Sequence, residues 1–97
     1  MKNTFLRGKI LGLLKDVYPD GLEQTMIIGI YYQNEKVDSI IRELEYLTDK
    51  EYVLQKKTTH PYKPNCFIIN YKITTKGIDL CEGTIDCDPG IVTPVGA

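Results

Sequence analysis

The residue types that most often do chemistry are sparse in this chain and poorly spaced for it. His60 is the single histidine, so no second imidazole is available for a catalytic triad or a paired metal site. With Cys66, Cys81 and Cys87 it supplies four zinc ligands by type, yet the spacing follows no finger or ribbon pattern and no CxxC occurs. Neither GxxxxGK[ST] nor GxGxxG is present, which removes support for nucleotide-phosphate binding by those loops. No catalytic site, metal or cofactor is therefore expected. Cys66 and Cys81 read as small apolar residues. The seven tyrosines are too scattered to form a stacking platform; half-buried places on strands and helix faces suit them, and so would a dimer contact.

The side chains that remain able to recognise something are charged, and they are segregated. The net charge is only −1, but distribution matters more than the total. Residues 52 to 78 hold Lys56, Lys57, Lys63, Lys72 and Lys76 and no acid, a local charge of +5. Residues 33 to 51 hold Glu35, Asp38, Glu43, Glu45, Asp49 and Glu51 against Lys36, Arg42 and Lys50, a local charge of −3. From Asp79 onward there are four acids and no base.

Periodicity gives the elements that must position these charges. Leu6, Ile10, Leu13, Leu14 and Val17 repeat at three and four, predicting a helix over residues 3 to 18 that Pro19-Asp20-Gly21 terminates. Leu22, Met26 and Ile30 continue at fours and predict a short second helix over 22 to 31, although Ile27 and Ile28 also suit a strand. Val37, Ile40, Ile41, Leu44 and Leu47 predict a third helix over 34 to 48 with Asn34 as its cap, leaving Glu35, Ser39, Arg42 and Tyr46 opposite the apolar stripe. Residues 52 to 59 and 67 to 73 are rich in strand formers and predict an antiparallel hairpin, joined by a projecting loop with Pro61 and Pro64. Thr74 or Thr75 would cap a last short helix over 76 to 82.

Ninety-seven residues, 42% hydrophobic and 26% charged, suit one folded domain with a real core. The expected division is a domain over 1 to 82 and an extended or disordered tail over 83 to 97, which carries three glycines and two prolines. An odd cysteine count without a signal layout points to a reduced, cytoplasmic protein. No apolar run approaches the ~20 residues that span a bilayer, so no membrane partner is expected.

The resulting α+β order is three helices, a two-stranded antiparallel wing and a short C-terminal helix. In wording, too, the chain resembles the winged-helix transcription regulators. Leu44-Glu45-Tyr46-Leu47 leads through Thr48-Asp49-Lys50-Glu51 into Tyr52-Val53, and after the lysine-bearing hairpin come Tyr71, Thr74 and Gly77. The likeness covers roughly residues 3 to 82. Glu51 departs from it, standing where these regulators usually place a glycine. The segment from Glu82 to Ile91 also resembles the tails of small prophage-encoded proteins. In the family the third helix enters the major groove of double-stranded DNA and the wing follows the backbone. The resemblance thus implies base-edge or phosphate roles for Gln33, Asn34, Lys36, Ser39 and Arg42. It implies phosphate contacts for Lys56, Lys57 and Lys63, and a homodimer matched to two-fold operators.

Plainer readings stand beside these. Capping alone would explain Asn34, and Arg42 could pair with Asp38 for only about 0.3–0.5 kcal/mol. Hairpin lysines also protect sheet edges from aggregation. Glu35 and Asp38 would repel phosphates. The alternative function is a protein-interaction module that presents Glu35, Asp38, Glu43 and Glu45 to a basic partner.

Overall fold

The computed structural model describes residues 4–83 and 90–91. Among these residues, four helices and a three-stranded antiparallel sheet make an α+β fold, in the order α1 (Thr4–Val17), β1 (Leu22–Glu23), α2 (Gln24–Tyr31), α3 (Val37–Asp49), β2 (Val53–Thr59), β3 (Phe67–Ile73) and α4 (Thr75–Glu82). The strands lie in the order β1-β3-β2. β2 and β3 pair from Val53 opposite Ile73 to Thr59 opposite Phe67, while Leu22 and Glu23 pair with Tyr71 and Asn70.

β1 corrects the expectation that helix two begins at residue 22. Two residues carry no periodicity, but β3 would otherwise present an open edge of unpaired N–H and C=O groups. Gly21 permits the approach, because a Cβ there would lie 2.6 Å from the Tyr71 carbonyl oxygen. The face of α2 also differs. Met26 and Ile30, placed on its apolar stripe by their fourfold spacing, are 51% and 52% exposed, and Ile27 is the residue fully buried. Ile28 and Tyr31 pack partly against the core beside it. In a helix where nearly every residue is apolar, spacing admits more than one stripe, and packing against β1 and α3 selects among them.

α3 begins at Val37, with Lys36 at the cap position and no side-chain cap bond. Asn34 is therefore not the cap. Its backbone N–H donates to Tyr31 O, as does that of Glu35, so both belong to the turn that closes α2. The helix ends in a Schellman motif. The Tyr52 N–H donates to Leu47 O and the Glu51 N–H to Thr48 O, with Glu51 in left-handed geometry at φ 67°. Leu47 and Tyr52 are buried together in the core, so the turn keeps its geometry although glutamate replaces the usual glycine.

The later part of the chain explains the Tyr71, Thr74, Gly77 wording. Tyr71 is fully buried, and its hydroxyl accepts from Gln55 Nε2 at 3.0 Å. Thr74 caps α4: its hydroxyl accepts from the Gly77 N–H and donates to Glu51 O at 2.7 Å. A Cβ on Gly77 would strike the Tyr52 carbonyl and Ile73. One hydroxyl and one missing Cβ thus tie α4 to the end of α3.

Of the expected tail, Gly83, Gly90 and Ile91 are described: Gly83 closes α4 in left-handed geometry at φ 78°, and Ile91 is buried in the core. Residues 84 to 89 and 92 to 97 of that tail, with Cys87, lie outside the described residues.

Candidate nucleic-acid interface

An ion pair joins α1 to the buried face of α3. Arg7 on α1 donates from Nε to Glu43 Oε1 at 3.0 Å, with the two side chains 8% and 2% exposed. The guanidinium lies 3.5 Å from the Tyr46 ring centroid, and a second nitrogen donates to Gly90 O at 2.9 Å. Two nitrogens of the buried cation are thus answered by a carboxylate and a carbonyl and its face by an aromatic ring, as burial of a charge demands. The buried face, which includes Glu43, is rotated from the one the apolar stripe implies. Val37 becomes 44% exposed, and Tyr46 and Ser39 become half-buried. The positions opposite Ile40, Glu43, Leu44 and Leu47 at 100° per residue are Asp38, Arg42, Glu45 and Asp49, all exposed.

This corrects two expectations. Tyr46 and Glu35 do not stand with Arg42 on a solvent face: Tyr46 packs on Arg7, and Glu35 precedes the helix. Glu43, counted among the acids facing a partner, is sealed in the interior. The solvent face of α3 carries three carboxylates and one guanidinium. Of the five residues expected near base edges, Gln33, Asn34 and Lys36 are exposed on the turn before α3, Arg42 is exposed on the helix, and Ser39 is half-buried.

The hairpin lysines are divided by the twofold alternation of a strand. Val53, Gln55 and Lys57 share one face with Ile69, Tyr71 and Ile73, the side where Val53, Tyr71 and Ile73 enter the core. Lys57 lies on that side near the tip, with Nζ 4.4 Å from the Phe67 ring centroid. Leu54, Lys56 and Thr58 share the other face with Asn70 and Lys72. Lys56 and Lys72 line a depression of about 300 Å³ with Gly21, Leu54, Thr58 and Asn70. Lys56 and Lys57 therefore point to opposite sides, and Lys72 is the neighbour of Lys56 that sequence reasoning did not select. Alternation applied to the hairpin register is the signal that finds it. Lys63 is exposed on the connector. Lys76 is held elsewhere: its ammonium donates to Lys50 O at 3.3 Å, answering a carbonyl just beyond α3.

Cys66 is exposed rather than packed as an apolar residue, and Cys81 is buried; both are free thiols. Among the described residues no group of three or more His, Cys, Asp or Glu side chains is placed to hold a metal ion, and no helix is long and apolar enough to cross a membrane. Comparison with family models, curated proteins and solved structures gives no match to this chain.

Proposed function

We propose that this chain is a winged-helix regulator that binds double-stranded DNA in the cytoplasm as a homodimer. The observation that carries the reading is the acid-free hairpin, which presents Lys56 and Lys72 on one face, Lys57 on the other and Lys63 on its connector. Support also comes from the order of helices and strands, with the third helix immediately before the hairpin. In this reading the turn before α3 supplies Gln33, Asn34 and Lys36, and the helix supplies Ser39 and Arg42. The acids Asp38, Glu45 and Asp49 run along the whole solvent face of α3, so in this reading contact falls on the turn before the helix and on Arg42.

The test is anisotropy of labelled duplexes titrated from low to physiological salt. Each lysine that neutralises a phosphate contributes about 0.9 to the slope of log K against log salt. The Lys56→Ala, Lys57→Ala double variant should thus lose up to about two units of slope. Absence of duplex binding at low salt by the intact protein would reject the reading. Sedimentation tests the dimer, because a two-fold site requires two copies.

A second reading rests on the α3 surface itself. Its three exposed carboxylates suit a basic protein surface, and such a partner would be steered by Asp38, Glu45 and Asp49. Replacing the hairpin lysines would leave that association intact, whereas Glu45→Lys would abolish it.

A further inference from the structure

His60 opens the connector between β2 and β3, and the connector is folded around its imidazole. Nδ1 accepts from the backbone N–H of Tyr62 at 3.1 Å and from that of Lys63 at 3.2 Å. The backbone closes the same loop, with the His60 N–H donating to Cys66 O at 2.8 Å and Asn65 in left-handed geometry at φ 64°. An imidazole nitrogen accepts only while it lacks a proton, so these two bonds require the neutral ring, with its single proton on Nε2. Protonation at Nδ1 turns that acceptor into a donor facing two other donors.

We infer that His60 is a pH-sensitive latch for the tip of the hairpin: neutral, it holds the backbone of Tyr62 and Lys63 in place, and protonated, it releases them. The inference concerns regulation of the interface proposed above and rests on that reading for its consequence in DNA binding. The latch itself stands on the two hydrogen bonds.

The charged and titratable groups around it come from three elements. Glu23 of β1 lines the same groove as His60, together with the uncharged Gln24, Thr25, Phe67, Ile68 and Ile69. Lys57 of β2 lies over Phe67. Within the connector are Lys63 and Tyr62, whose ring meets the imidazole edgewise at 6.2 Å. The closed tip belongs to the neutral ring and is lost when acidification protonates it. Opening frees Lys63, one of the proposed phosphate contacts, from its fixed position.

The measurement is a pH titration of backbone amide resonances in the ¹⁵N-labelled full chain, compared with His60→Asn. The asparagine Oδ1 reproduces the Nδ1 acceptor and does not titrate. The Tyr62 and Lys63 amides of the original chain should move together on a one-proton curve, and in His60→Asn they should stay at their high-pH positions. Amides that do not move in the original chain, or that move equally in the asparagine variant, overturn the latch. No DNA enters this experiment, so its failure is separate from failure of duplex binding.

Discussion

Arg7 and Glu43 pose the sharpest energetic question at the scale of single residues. A buried pair satisfied on every side adds little net stability, but removing one partner strands the other charge in the core. Glu43→Ala is expected to cost about 3–5 kcal/mol, read as a lowered urea midpoint. The double variant Arg7→Met, Glu43→Leu should recover most of that loss, because it removes both desolvation penalties. If the double variant is as unstable as the single one, the pair contributes shape or contacts rather than compensated charge. Gly77 depends on space alone. Gly77→Ala drives a methyl group against the Tyr52 carbonyl and should cost about 1–3 kcal/mol, while Gly29→Ala, where nothing lies within 4 Å, should stabilise α2 by up to about 1 kcal/mol.

Among the elements, the exit from α3 has a conformational cost built into it. Glu51 holds φ 67°, a conformation unfavourable by about 1–2 kcal/mol for residues with a Cβ. Glu51→Gly relieves that strain and loses some backbone entropy in return. Its melting temperature should match or exceed that of the original chain, whereas Glu51→Val should melt several degrees lower. Equal melting of all three would mean that the turn is not held in left-handed geometry in solution. The hairpin makes a separate prediction. Because Lys56 and Lys72 share a face and Lys57 does not, Lys56→Ala and Lys72→Ala should change salt-dependent duplex binding alike. Lys57→Ala should change it differently if one side of the hairpin meets the phosphates.

Across the whole molecule, burial creates an alkaline limit. Loss of hydration pushes the Cys81 thiol above its ordinary value of 9.0, a shift that Lys15 reduces and Glu82 increases. The same cause raises the Tyr31 and Tyr71 phenols above 10.0, with Gln55 lowering Tyr71 and Glu45 raising it. Each group ionises in the unfolded chain at a lower pH than in the folded one. Stability is therefore complete below about pH 9 and falls as pH rises through the folded values. Thermal melting from pH 7 to 11 should show a plateau followed by a decline, and Cys81→Ala should delay its onset. A melting temperature that is flat to pH 11 would contradict burial of these groups.

Amino-acid order alone determined α1, the hairpin, a threonine cap at Thr74 or Thr75 and the approximate place of α3, because each is written in local periodicity, β-branched runs or a capping hydroxyl. It also separated the basic hairpin from the acidic third helix, since charge counts require no coordinates. Tertiary structure decided the rest. A two-residue β1 exists only because β3 offers an edge, and Ile27 displaces Met26 and Ile30 only because β1 and α3 fix one side of α2. The buried face of α3 includes Glu43, a residue whose type signals exposure until Arg7, 36 positions away in sequence, meets it. Local propensity is a property of neighbours in sequence, whereas burial, edge pairing and charge compensation belong to residues that meet only when the chain has folded.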